Sequence, residues 1–268
     1  MHKEEIREVE TVRYLVFANL QAEDIVHGYT LRTGGVSQSP FDSLNMGLHV
    51  GDQQEAVQNN RQRVAHALGY QPAAVVAGQQ VHGTAIVHVT SPLCGLGHDN
   101  MADAVADTDG LLCTEPGIVL MAHAADCTLL FFYDPVIRCI GLAHAGWRGA
   151  VAGMGPLMVE ALTKLGSRRE NIRVALAPTI GPCCYQVGEN VITQVPLHLQ
   201  PLVMRREGEA IFFDLAQFQR LQLLEMGISN ENLSKSTYCT ACNPDLFYSY
   251  RAAGGQTGRM AGVISMKW

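Results

Sequence analysis

The stretch "LLFFYDPVIRCIGLAHAGWRG", residues 129–149, decides the fold. Two apolar runs flank Asp134-Pro135, and an Asp-Pro pair in that position signals a turn: proline fixes φ while the aspartate can bond the turn's own backbone. The spacing predicts a hairpin whose second strand delivers His144. An imidazole, an indole and a guanidinium then follow at His144, Trp147 and Arg148. A strand-to-helix turn needs Gly, Asn, Asp, Ser or Pro, so this one carries more chemistry than turning requires.

Outward from the hairpin, "VRYLVFANL", "DIVHGYTLR", "AAVVAG", "TAIVHVT", "GIVLMA" and "IRVALAP" read as further short strands, rich in branched and aromatic residues and bounded by Gly, Pro or Asp. "EAVQNNRQRVAHALGY", "AVAGMGPLMVEALTKLG" and "LAQFQRLQLLEMG" have helical spacing, the last with Asp214 as its N-cap and Gly227 as its stop. Many hairpin strands and few helices predict an α+β fold of mixed β-sheets packed together with flanking helices. No repeat or linker divides the chain, so residues 1–268 are expected to form one domain. "CGLGHDNMADAVADTDG" (94–110) is Gly- and Asp-rich without a period and is expected to be the most mobile loop.

The 268 residues are 47% hydrophobic and 16% charged, ample for a core. A formal net charge of -6 argues against a protein that coats nucleic acid, although a local arginine cluster could hold an anionic small molecule. No apolar run approaches the roughly 20 residues of a membrane span, and the polar N-terminus "MHKEEIREVE" is unlike a secretory signal. The expectation is a cytoplasmic protein that meets no membrane, with its eight cysteines as free thiols or metal ligands.

Three segments end an apolar run in a reactive side chain: "AGQQVHG" in His82, "GIVLMAHAADCTLLFF" in Asp126 and Cys127, and "GLAHAGWRG" in His144. Two imidazoles and a thiolate form a catalytic zinc set, leaving the fourth tetrahedral position open. Taken singly, each reads more readily as a hydrogen-bonded core histidine or a small buried thiol, and it is the three together at strand ends that point to a metal.

"GQQVHGTAIV", "DTDGLLCTEPGIVLMAHAADCTLLFFYDP", "GLAHAGWRGAVAGM", "IGPCCYQVGENV" and "YSYRAAGGQTGRMAGVISM" together closely resemble the YfiH family, also called laccase-domain, polyphenol-oxidase or purine nucleoside phosphorylase proteins. The resemblance runs in order from "LRTGGVSQSPFDSLNMGLHVGD" to the C-terminus. It implies that His82, Cys127 and His144 bind zinc. It also implies phosphorolysis of adenosine, inosine and 5'-methylthioadenosine to free base and ribose 1-phosphate (or its methylthio analogue), with adenosine deamination as an additional activity. Purine nucleosides and phosphate are then the partners, and the protein is expected as a monomer or homodimer.

Those reactions ask for a proton carrier, for which Asp126 and His123 are the candidates, Asp126 being equally readable as the orienter of a ligating histidine. They also ask for a phosphate holder, and arginine suits phosphate because its fork pairs with two oxygens. Arg32 is the first choice, as phosphate holder and catalytic residue, with Asn45 as companion and Arg148 and Arg251 as further substrate contacts. Trp147 reads as a cavity wall or as core. Cys183-Cys184 reads as packing and Cys239-x-x-Cys242 as a tight loop, since a lone CxxC is weak evidence for a structural metal, with Cys184 beside Glu189 at the pocket mouth. Two rivals remain. One is a copper-dependent polyphenol oxidase with copper in the same site, although the ten histidines contain no His-x-His pair. The other is a cysteine hydrolase using Cys127 as nucleophile; a binding module with a purely structural metal is the non-enzymatic reading.

Overall fold

The structure, a computed structural model, describes residues 4–267. Its hairpin is the expected one: Thr128–Asp134 pairs antiparallel with Cys139–Ala145, from Thr128 opposite Ala145 to Asp134 opposite Cys139. Asp134 Oδ1 accepts from Val136 N at 2.8 Å, so the carboxylate holds the turn as its position before proline predicted.

Two six-stranded sheets carry the fold. The first runs Glu4–Val9, Val12–Phe17, Ile25–Thr30, Met260–Met266, Val119–Ala124, Val75–Ala77. The second runs Leu233–Lys235, Arg173–Leu176, Thr128–Asp134, Cys139–Ala145, Gly110–Cys113, Ile86–Val89. A three-stranded sheet, Gln186–Val187, Ala210–Phe213, Met204–Glu207, stands apart from them. Most pairs are antiparallel, and the parallel ones lie toward the edges, as in Val75–Ala77 with Val119–Ala124.

The apolar run of the hairpin is continuous because both its faces are covered. Leu129, Phe131 and Tyr133 enter the core shared with Leu15, Phe17 and Tyr29 of the first sheet. Leu130 and Phe132 turn the other way, onto Met158, Leu162 and Leu223 of helices Met154–Lys164 and Leu215–Glu225. Helix Gln54–Leu68 covers the outer face of the first sheet through Val64 and Leu68. The result is helix, sheet, sheet, helix: mixed sheets with flanking helices, an α+β fold. Each fully buried Leu or Phe here contributes roughly 1.5–3 kcal/mol of hydrophobic stabilisation.

Two local expectations are corrected. The helix expected over 150–166 is two, Trp147–Val151 and Met154–Lys164, broken where Gly153 takes φ 85°. The 94–110 segment, expected to be the most mobile, is tied down: Ala77 N donates to Leu96 O at 2.9 Å, and the fully buried Arg61 donates to the carbonyls of Gly97 and His98.

Candidate metal centre

Antiparallel pairing brings the site together. The Cys139–Ala145 strand ends at His144, and its neighbour Gly110–Cys113 begins opposite Ala143, so Asp109 lies beside His144. Asp109 Oδ1 meets His144 Nδ1 at 2.8 Å with its carboxylate fully buried. The same carboxylate accepts from the backbone N–H groups of Val81, His82 and Gly83 at 3.1, 3.2 and 2.8 Å. One buried anion thus orients one histidine's ring and the other's main chain, and leaves His144 Nε2 for a metal. Burial would push Asp109 up, but the His144 contact and the Gly83 and Val81 N–H groups hold it below the usual carboxylate range.

Cys127 ends the three-residue crossover from Val119–Ala124 of the first sheet to Thr128–Asp134, with Asp126 at φ 83°, and the pairing of Thr128 with Ala145 sets it beside the His144 strand. Its Sγ stands 3.9 Å from His82 Nε2, and the donor atoms of His82, Cys127 and His144 all lie within 4.8 Å of one another. The two imidazoles meet edge to face with centroids 4.9 Å apart. A tetrahedral zinc, about 2.3 Å from sulfur and 2.0–2.1 Å from nitrogen, spans roughly 3.6 Å between ligand atoms. The set fits such an ion, and among the described residues no further His, Cys, Asp or Glu joins it. Burial pushes the Cys127 thiol up, and the His144 and His82 imidazoles pull it down past its ordinary value to about 6. Burial pushes His144 down, and the Cys127 and Asp109 charges lift it to about 9. Gly146 makes the close approach feasible: a Cβ there would stand 2.8 Å from Cys127 Sγ.

The three donors face a cavity of about 460 Å³. His49, Gln80, His123, Asp126, Trp147, Tyr185 and Tyr250 also line it, together with Arg148, Arg251 and Arg259. A second cavity of about 490 Å³, between Arg7, His27 and Lys267, holds none of the candidate residues.

Of the sequence-derived candidates, His82, Cys127, His144, His123, Asp126, Arg148 and Arg251 share the cavity, and three do not. Arg32, expected to hold phosphate, is spent elsewhere: Nε and Nη2 donate to Asp42 O at 3.2 and 2.9 Å, Nη1 to Pro244 O at 2.8 Å, and Nη2 reaches Asp42 Oδ2 at 3.2 Å. Asn45, expected as its companion, is fully buried and bonds Asp52 Oδ2 at 2.8 Å and the N–H of Arg259 at 2.9 Å. Cys184, expected at the mouth, sits instead in a group of four cysteines.

Asp126 lines the cavity with its carboxylate engaged, accepting from Thr240 Oγ1 at 2.6 Å and Arg251 N at 2.7 Å. It bonds neither His82 nor His144; the contact to the His144 ring comes from Asp109. His123 is fixed through its main chain by Gln80, with N–H to Oε1 and Nε2 to O both at 2.8 Å. Its Nε2 meets Arg61 Nη2 at 2.9 Å. A guanidinium only donates, so Nε2 accepts and Nδ1 carries the proton. That Nδ1 is buried without a protein partner. Burial, then the charges of Arg61 and nearby groups, keep the imidazole's pKa well below its ordinary value, so it stays neutral.

Sequence reasoning missed Arg259, which lines the cavity, and Asp109, which bonds His144. Arg259 lies in the glycine-rich "GQTGRMAG" of a motif already quoted for the family resemblance, and its place there was the available signal.

Stacked mixed sheets that converge two imidazoles, a thiol and three arginines on one cavity define an α+β protein with a metal-competent ligand set beside a cluster of cations. The chain belongs to the family described as multi-copper polyphenol oxidoreductase laccase, matching it over residues 26–267. It is 41% identical over 251 residues to purine nucleoside phosphorylase YlmD of Geobacillus stearothermophilus, covering 90% of each chain. It is 37% identical to the Bacillus subtilis protein of the same name, covering 93% of this chain and 91% of the other. The crystal structure of YlmD from Geobacillus stearothermophilus superposes with a TM-score of 0.94 at 38% identity, covering 99% and 100%. That of Bacillus licheniformis YfiH, described as a hypothetical protein, does so at 0.92 and 34%, covering 98% and 99%. No helix among the described residues is long and apolar enough to cross a membrane.

Proposed function

We propose that this protein is a zinc-dependent purine nucleoside phosphorylase acting on adenosine, inosine and 5'-methylthioadenosine, with adenosine deamination at the same site. One observation carries the reading: the His82, Cys127, His144 set and the Arg148, Arg251, Arg259 group open onto one cavity of nucleoside size. Two relatives named purine nucleoside phosphorylase at 41% and 37% identity support it.

In phosphorolysis a phosphate oxygen bonds the sugar C1′ as the C1′–N9 bond breaks, and the base leaves with the electron pair and takes up a proton. The chain's part is to hold the dianion and orient the base. Arg251 Nη1 donates to Gln186 O and Arg259 Nη1 to Thr257 O and Gly258 O, which leaves the other guanidinium edges for phosphate. Arg148 lies over the Trp147 ring at 4.5 Å. Asp126 is a positioning residue, fixing the Arg251 main chain. His123, neutral, lines the cavity as part of the wall against which the base is held. In deamination water replaces the C6 amino group, which leaves as ammonia. His82, Cys127 and His144 would hold a zinc ion, which would supply Lewis acidity for that step.

The test is to incubate the zinc-loaded protein with adenosine, with and without phosphate, and identify the products. Adenine formed only with phosphate, and inosine formed in both, are expected; the absence of both products would refute the reading. The family's description keeps one rival in view, copper-dependent phenol oxidation, whose signature is oxidase activity that tracks added copper. A laccase-type cluster needs many imidazoles, and only His82 and His144 join a metal-competent group among the described residues. A Cys127 hydrolase would survive a chelator; the proposed reactions do not.

A further inference from the structure

Away from the ligand set just described, Cys183, Cys184, Cys239 and Cys242 converge: one sulfur from each lies within 4.8 Å of every other. Cys242 Sγ stands 3.4 Å from Cys183 Sγ and 3.3 Å from Cys184 Sγ. These are free thiols, since a disulfide brings its sulfurs to about 2.05 Å. The sulfur–sulfur edge of a four-thiolate zinc tetrahedron, roughly 3.8 Å for Zn–S bonds of about 2.3 Å, falls inside the 4.8 Å within which all four lie.

The backbone around them is built for sulfur. Gly181 N donates to Cys239 Sγ at 3.2 Å, the kind of outer contact that orients a thiolate ligand. Gly181 has no spare room, because a Cβ would stand 3.1 Å from Cys239 Cβ and 3.4 Å from Cys183 Sγ. Thr240 N donates to Thr179 O at 3.1 Å and Thr179 bridges Cys239, so the two cysteine-bearing loops are already in register, while Asn243 Nδ2 bonds Cys239 O at 2.8 Å within the second loop. Cys239 is buried, whereas Cys183 and Cys242 are exposed, which gives an ion a way in.

We propose that Cys183, Cys184, Cys239 and Cys242 form a closed, structural zinc site that clamps loop 179–186 to loop 238–243 behind the catalytic cavity. Four thiolates fill the tetrahedron and leave no corner for substrate, which separates this site from the open His82, Cys127, His144 set. Soft thiolates in tetrahedral array select zinc from the harder divalent ions. The clamp bears on the cavity because both loops hold Asp126. Ile180 N donates to Asp126 O at 3.0 Å and Thr240 Oγ1 to its carboxylate at 2.6 Å, one residue from Cys127. Ile180 and Tyr185, on the first loop, line the cavity itself.

Elemental analysis of the purified full chain tests this. Wild type is expected to carry two zinc ions per chain, Cys127→Ala one, and Cys127→Ala/Cys242→Ser none. Cys127→Ala protein loaded with cobalt is expected to show intense thiolate-to-metal absorption, which does not depend on the Cys242 variant folding. Cys127→Ala protein without zinc or without that absorption, iron in place of zinc, or a Cys242 disulfide to Cys183 or Cys184 in freshly purified protein would each overturn the proposal.

Discussion

Asp109 is the residue on which the open metal set turns, since its buried carboxylate bonds the His144 ring and the N–H groups of residues 81–83 together. Asp109→Asn keeps the shape, removes the charge and puts an amide N–H against backbone donors. Metal affinity is expected to fall about 10–100-fold, as measured by competition with a chromophoric chelator; unchanged affinity contradicts the role. Gly146→Ala is the complementary test, placing a Cβ 2.8 Å from Cys127 Sγ. Metal content at this site is expected to drop severely while the circular dichroism spectrum stays native, and full occupancy would show that the approach is not needed. At this scale the three proposed ligands were legible because each ends an apolar run in a distinctive word. Asp109 was not, because it precedes its strand, and only the register of Gly110 against Ala143 brings it to His144.

Strands and loops decide which arginines reach the cavity. Arg259→Ala is expected to raise the phosphate KM on the order of 10-fold or more, since a charge-assisted hydrogen bond contributes about 1.5–3 kcal/mol. Arg32→Ala is expected to leave that KM alone and lower the melting temperature, because its donors hold Asp42 and Pro244; steady-state kinetics on the pair separates the roles. The Ile25–Thr30 strand carries a pH liability. Burial, then the charge of Arg7, holds His27 at about 4, and its Nε2 accepts from Phe17 N at 2.9 Å. The unfolded chain therefore binds this proton near pH 6.5 while the folded chain refuses it until about pH 4. Stability is full above pH 6.5 and falls by about 3 kcal/mol as the pH drops to 4. Denaturant melts of His27→Asn are expected to show a flatter acid limb than wild type; an identical limb contradicts this. The hairpin strands were legible from their unbroken apolar runs. Gly110–Cys113 and Met260–Met266 do not read as strands in the sequence: the first is short, and the second mixes Gly and Ser with methionine, so that only its neighbours on both sides make it a strand.

The two sheets meet through a shared core. Cys127 directly precedes Thr128, which pairs with Ala145, so the hairpin itself brings the thiol beside His144, whereas His82 lies on the connection from Val75–Ala77 of the first sheet to Ile86–Val89 of the second and joins them only when the sheets stack. That explains what sequence could and could not show of the whole. Fold class followed from the hairpin and the strand count. The four-cysteine group did not, since Cys183-Cys184 and Cys239-x-x-Cys242 look unmatched until loops far apart in sequence are paired through Thr179 and Cys239. The central claim is that His82, Cys127 and His144 share one ion at the cavity wall. Anomalous diffraction at the zinc edge from crystals of the full chain measures this directly. The account predicts a peak about 2.0–2.3 Å from His82 Nε2, Cys127 Sγ and His144 Nε2, with no fourth side chain in bonding range. No peak there from zinc-loaded protein, or a fourth protein ligand closing the site, would contradict it.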